Sequence, residues 1–291
     1  MKGARVRLSS VYILLTFCLP LFGTVAEAAP SLPSALDAGK AEHGEVTIAP
    51  HRAIYDMTLS SVKNGSNITD ISGKMIFEWA DACDGWTIQQ NLQLHFAYNE
   101  GDGSNVASNE VTWEAKDGKH YNFNIRRVQD GKETDNYRGK AELTDDEGKA
   151  VYTMPEGKTL KLTNNSVFPS SHTKMILEKA LAGEHFFTRR VFDGTDEGGS
   201  NDVSAFIGAA RTARVEVGAH QDIDSNPLLM TTYWPVHLAF FKLHGETGEP
   251  DYEMDLQLHE NGIVQSLSIN YGDFTVNGKL VAIEPLPMPH C

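Results

Sequence analysis

From Pro50 onward the chain alternates apolar and polar residues with a period of two. Ala53-Ile54-Tyr55-Asp56-Met57-Thr58-Leu59 is the first such run, and Asn64-Gly65 follows as a turn pair. Ile71–Trp79 and Trp86–Ala97 predict two more strands, separated from Val111–Ala115 by the polar loop Asn99–Asn105. Four acid-Gly-Lys triplets then punctuate the chain: Asp117-Gly118-Lys119, Asp130-Gly131-Lys132, Glu147-Gly148-Lys149 and Glu156-Gly157-Lys158. Glycine tolerates positive φ, so such triplets predict the hairpins of an antiparallel meander, with strands such as Tyr121–Ile125 packed on one face and wet on the other. Phe186–Phe192, Val203–Ile207, Arg211–Val217 and Leu228–Trp234 read as strands. So do Met254–Leu258, Val264–Tyr271, Phe274–Val276 and Leu280–Ile283, with turns at Asn261-Gly262 and Asn277-Gly278.

One stretch breaks the period. Phe168–Gly183 (FPSSHTKMILEKALAG) predicts a helix, with Pro169 at its boundary, Ser170 or Ser171 as cap and Gly183 ending it. Ile176, Leu177, Ala180 and Leu181 share a face, and Lys174 and Glu178 form an i, i+4 pair. A lone helix of about three turns is unstable in water, so its apolar face must be covered. Roughly fourteen strands with no boundary between halves predict a mainly β fold: one large antiparallel sheet curling around a central helix, which buries both apolar surfaces.

The N-terminus changes the picture of compartment. Lys2, Arg5 and Arg7 precede an apolar run, Val11–Val25, and Ala26-Glu27-Ala28 is a small-x-small cleavage site. Residues 1–28 therefore predict a cleaved signal peptide; an uncleaved anchor is the alternative, opposed by Pro20 within a short run. Residues 29–48, with two prolines and no period, predict a flexible arm that becomes ordered near Val46, and residues 49–291 one β domain. Loss of residues 1–28 moves the net charge from −14 to −16, which argues against nucleic acid and against docking on anionic headgroups. The expected mature protein is exported and soluble.

Cys18 leaves with the peptide, and only Cys83 and Cys291 remain. In an oxidising compartment they pair with each other; free thiols or an intermolecular link are the alternatives. The tail before Cys291, Glu284-Pro285-Leu286-Pro287-Met288-Pro289-His290, lacks the donors to hold itself in a ladder, and a disulfide would pin it.

Candidate chemistry is sparse. The sequence contains no G-x-S-x-G, H-E-x-x-H, Walker loop or strand-linked G-x-G-x-x-G. Asp193–Asp202 and Asp222-Ile223-Asp224-Ser225-Asn226 offer carboxylates to a hard cation, but neither has the closing ligand of an EF-hand, and solvated turns explain both. His51, His237 and His244 are possible acid/base groups without an identifiable partner; a hydrolase built around His51 or Asp193 is the enzymatic alternative. Phe240-Phe241, with Tyr233 and Trp234, could line an apolar groove or pack a core. No cofactor or metal is expected.

Several segments together resemble the cell-envelope integrity EipB family of alphaproteobacteria: Ala49-Pro50-His51-Arg52-Ala53-Ile54-Tyr55, Phe168-Pro169 with His172, Ala180 and Gly183, and Val191-Phe192-Asp193-Gly194 with Gly198. Tyr233-Trp234-Pro235-Val236 and the pair Cys83/Cys291 complete the set, although here the second cysteine is the last residue. The resemblance implies a non-enzymatic periplasmic protein with a strongly bent, spiral-like, open barrel-like sheet around the helix. It also implies a Cys83–Cys291 disulfide and a role in envelope integrity under stress. The partner would be an envelope protein, peptidoglycan or lipid. The alternative is a carrier that holds a lipid, lipopeptide or hydrophobic peptide in the curved sheet.

Overall fold

A computed structural model of the chain describes residues 46–163, 165–196, 198–212, 223, 225–243 and 248–291. The signal peptide, nearly all of the arm, and His244, Asp222 and Asp224 lie outside them.

The long meander comes first: β1 (His51–Val62), β2 (Ile68–Asp81), β3 (Gly85–Tyr98), β4 (Ser104–Ala115), β5 (His120–Gln129), β6 (Lys132–Leu143), β7 (Gly148–Met154) and β8 (Thr159–Leu162). The two-residue β9 (Ser166–Val167) leads into helix α1 (Pro169–Leu181). The second half holds β10 (Phe186–Phe192), β11 (Ser200–Ile207), the two-residue β12 (Arg211–Thr212), β13 (Thr232–Lys242), β14 (Tyr252–His259), β15 (Val264–Asn270) and β16 (Phe274–Pro285). All belong to one sheet, ordered β8-β7-β6-β5-β4-β3-β2-β1-β16-β15-β14-β13-β11-β10-β9, with β12 on β13. Its two ends, β8 and β9, are consecutive in the chain, so the sheet bends back on itself into a nearly closed barrel. Every pairing is antiparallel except β9 with β10, which is parallel.

Period two survives in the burial. His51, Ala53, Tyr55 and Met57 of β1 are buried, as are Tyr121, Phe123 and Ile125 of β5. Three glycines of the acid-Gly-Lys series, at 118, 131 and 157, have positive φ as turn residues. The fourth does not turn. Gly148 lies inside β7, where a Cβ would meet Leu143 Cδ2 at 2.4 Å, and the reversal is made by Thr144–Glu147. Gly278 is a second correction: β16 runs unbroken through it, and a Cβ there would approach Leu267 Cγ at 2.9 Å. Leu228 and Leu229 are also not strand. Pro227 opens a 3-10 turn whose cap, Asn226, accepts from Leu228 N. Of the expected strand Arg211–Val217, only Arg211 and Thr212 are described.

The helix begins earlier than a serine cap would place it. Phe168 is the N-cap in extended backbone and Pro169 occupies the first turn, where its missing N–H costs nothing. Gly183 (φ 71°) closes the other end: its N–H reaches Ala180 O at 3.1 Å and that of Glu184 reaches Lys179 O at 2.9 Å, a Schellman closure. Ile176, Leu177 and Ala180 are buried against Trp79, Phe187 and Val203, while Leu181 is half-buried and Glu178 exposed. The helix is therefore one-sided, with the sheet's core beneath it and solvent above. Its ion pair is Lys179–Glu184 at 2.7 Å.

Val46 and Ile48, where the sequence expects the arm to become ordered, are buried in the same core cluster as the apolar face of α1. Two further clusters fill the interior. Tyr55, Met57, Ile71 and Leu280 anchor one, and the rings of Tyr121, Phe123, Tyr152, Phe168 and Phe192 the other.

Candidate functional site

The N-terminus of α1 is held from across the sheet. Ser170 N and Ser171 N donate to Glu114 Oε2 and Oε1 at 2.7 and 2.8 Å, and Ser171 Oγ also donates to Oε1. The Glu114 side chain from β4 is only 1% exposed. Burial pushes its carboxyl up, and the Ser171 hydroxyl with the two N–H groups pulls it back. Carboxylate and helix dipole complement each other, so Glu114 is a positioning group for the helix.

The Asp193–Asp202 loop is spent on structure. Asp193 Oδ1 accepts from Thr195 N and Oγ1 at 2.9 and 2.8 Å, and Asp196 Oδ1 accepts from Gly198 N and Gly199 N. Asp202 forms a fork with Arg190 at 2.8 and 2.9 Å. Tyr121 and Tyr152 donate to the carbonyls of Asp193 and Asp196, which clamps the loop onto β5 and β7. Burial raises the Asp193 carboxyl to about 6, against the pull of Thr195, with Glu110 and Asp196 adding like charge. Among the described residues no three His, Cys, Asp or Glu side chains converge as metal ligands.

The structure separates the other candidates. His51 is fully buried and Nδ1 meets Ala49 O at 2.8 Å. His237 faces outward, 2.9 Å from Asp255 and 3.4 Å from Glu253. Trp234 is core, Tyr233 packs on His259 with ring centroids 5.3 Å apart, and Phe241 turns to the face opposite Phe240. Cys83 and Cys291 are joined by a disulfide with Cα atoms 5.8 Å apart, and Leu286 N donates to Pro50 O beside the tail.

In two inner-face groupings the sequence singled out one member each, Phe240 and His172, but not their neighbours. The first is a row of partly exposed rings: Phe240–Tyr252 stacked at 4.2 Å, then Tyr252–Tyr271 at 6.3 Å, Tyr271–Phe274 at 5.0 Å and Phe274–Phe96 at 5.7 Å. Near it lies Glu110, which accepts from Ser108 Oγ at 3.1 Å and pairs with Arg127 at 3.5 Å, while Arg127 donates to Thr195 O at 2.9 Å. Burial raises the phenols of Tyr252 and Tyr271, and Glu110 adds to both shifts, so carboxylate and rings share one electrostatic neighbourhood. The second grouping is His172 of α1 with Phe187 and Arg189 of β10. Period two in FFTRRVF sends one of the adjacent arginines inward and one outward, but does not say which.

A family model described as EipB-like matches residues 42–287. The chain belongs to the EipB-like family. The cell envelope integrity protein EipB of Brucella abortus is 30% identical over 247 residues, covering 82% of this chain and 85% of that protein. A crystal structure of a β-barrel-like protein of a domain-of-unknown-function family, also from Brucella abortus, superposes with a TM-score of 0.75 at 28% identity. That match covers 83% of this chain and 100% of the other. Among the described residues of this EipB-like chain, no helix is long and apolar enough to cross a membrane.

Proposed function

We propose that this EipB-like protein is exported to the periplasm after loss of residues 1–28. There residues 49–291 act as one unit that supports envelope integrity without catalysing a reaction, by binding or scaffolding an envelope protein, peptidoglycan or lipid. The observation that carries this is the 30% identity to a protein named for envelope integrity, spread over 82% of the chain. The disulfide fits the same reading. It fastens the proline-rich tail to the β2–β3 turn across a separation of 208 residues, and on the chain-entropy model such a loop contributes up to about 5 kcal/mol. The inner ring row favours a second reading, a carrier of a lipid, lipopeptide or hydrophobic peptide. A separate groove of about 550 Å³ lies over β2–β4, its wall shared between Leu94, Val106, Ala107 and Val128 and the polar Lys74, Gln93, His95 and Asn105.

The test is deletion of the gene followed by exposure to detergent and to cell-wall antibiotics. The deletion should lower survival, wild type should restore it, and Cys83→Ser with Cys291→Ser should restore it only partly. Unchanged survival of the deletion strain overturns the envelope role. Species retained by the purified protein in native mass spectrometry would move the reading to the carrier.

A further inference from the structure

The interior of the barrel is packed at one end and open at the other. Along β13, Trp234, Val236 and Leu238 are buried, and the next inward residue, Phe240, is partly exposed. The inner rows of β14, β16 and β3 change in the same way. They run from Leu258, Val276 and Leu94 in the core to the half-buried rings of Tyr252, Phe274 and Phe96. Tyr271, just past β15, is 42% exposed. The five rings form one continuous row at the same end of the barrel. An inward ring that still meets water has unfilled space in front of it, so the row lines a barrel mouth, a recurrent place for ligands.

The wall that faces the rings is polar. Tyr271 senses the charges of Arg127 and Glu110, although five strands lie between β5 and β15 in the sheet order, so the two walls meet across the lumen. Arg127 and Glu110 are themselves 30% and 22% exposed. Ser108 and Arg127 both approach Glu110 Oε1, and both Thr195 donors go to Asp193 Oδ1. Glu110 Oε2 and Asp193 Oδ2 have no partner among the described residues. Nor do the Tyr252 and Tyr271 hydroxyls, whereas those of Tyr55, Tyr121 and Tyr152 each donate to a backbone carbonyl. Burial raises the Tyr252 phenol, and Asp193, Glu110 and Asp196 add to the shift, which sets three carboxylates and one guanidinium around the mouth. Lys116, Lys158 and Lys179 sit over Trp86, Tyr152 and Phe187, but among the described residues no cation covers the five rings.

We propose that this mouth, walled by Phe240, Tyr252 and Tyr271 and faced by Glu110 and Asp193, binds an organic cation: a protonated amine carried on an apolar body. Ring faces attract a cation, and the surplus of carboxylates chooses that sign over an anion. The phenol and carboxylate oxygens left open are acceptors, which an ammonium group, a donor only, can satisfy. The inference does not rest on the envelope role, and it gives the rings an occupant other than the acyl chain of the carrier reading.

The experiment titrates the disulfide-bonded protein at neutral pH with octylammonium chloride, sodium octanoate and octyl glucoside, each below its micellar concentration, and reads heat of binding and melting temperature. Octylammonium should raise the melting temperature and bind about tenfold or more tighter than the other two. Tyr271→Ala, at an exposed ring, should weaken it by about three- to tenfold. Glu110→Gln should narrow the preference for octylammonium over octanoate; Asp193→Asn is the second such variant if Glu110→Gln does not fold. Phe186→Ala, at a 53% exposed ring on the outer face, should bind as wild type does. Absence of octylammonium binding overturns the proposal, as do equal affinities for the three probes. Preference for octanoate also overturns it and returns the rings to the carrier reading. So does unchanged octylammonium affinity in Tyr271→Ala, or an unchanged preference in the carboxylate variants.

Discussion

Glu114 is the contact on which the position of α1 depends, and its replacement separates two contributions. Glu114→Ala removes the acceptor for two first-turn backbone N–H groups and one hydroxyl, at a side chain that is itself only 1% exposed. Each buried N–H left without an acceptor costs about 1–3 kcal/mol, and part of that is recovered by relaxation of a turn only four residues from the β9 edge. The net expectation is a loss of about 3 kcal/mol. Glu114→Gln keeps the shape and one oxygen, but sets an amide donor against a backbone donor. It also spares the burial of a charge, which is the largest influence on the Glu114 carboxyl. Those effects oppose each other, so Gln should cost about 1 kcal/mol. Denaturant unfolding followed by circular dichroism measures both variants. Glu114→Ala within about 0.5 kcal/mol of wild type would show that the carboxylate does not hold the helix. A Gln variant as unstable as the Ala variant would show that charge, rather than acceptor geometry, sets the contribution.

Leu177→Asp buries an unpaired charge at a fully inaccessible position and should abolish the cooperative thermal transition. Leu181→Asp, at the half-buried end of the same helix, should cost only about 1–2 kcal/mol; equal damage at both sites would contradict the one-sided helix. Asp193→Asn should stabilise the protein at neutral pH by about 1–2 kcal/mol, discounted because the side chain is half-buried, since Asn can still accept from Thr195. The folded carboxyl titrates at about 6 and the unfolded one near 3.8, so the native state holds the extra proton between those values. The gap between variant and wild type should therefore be full above pH 6, shrink as pH falls through 6, and close below about 4; a pH-independent gap in denaturant titrations would refute the assignment.

The strands were legible where one face is buried and one is wet, because alternation then records the pleat. Phe186–Phe192 was read to the residue, and β1, β5 and β14 were read by their cores. Glycine was the ambiguous letter. Gly131 and Gly148 follow an acid and precede a lysine, yet one supplies positive φ in a hairpin and the other leaves room for Leu143 between strands. A local triplet does not distinguish conformational freedom from the absence of a Cβ. The helix was legible, but its cap was not, because the acceptor for Ser170 and Ser171 comes from more than fifty residues earlier on a separate strand.

The inner polar groups were hidden for a related reason. Alternation gives two faces without naming the inner one, and adjacent Arg189 and Arg190 read alike. Only the β10–β11 register sends Arg190 to Asp202 and leaves Arg189 opposite Val203. A guanidinium beside a fully buried valine is costly unless something accepts from it, and Met or Leu would fill the same space at lower cost. The same reasoning does not apply to Arg127, whose charge is met by Glu110 and the Thr195 carbonyl and therefore serves the packing of the loop. Two inward arginines, one paired and one without a partner for its Nε, thus share a face and differ in what meets them, a difference that alternation cannot record.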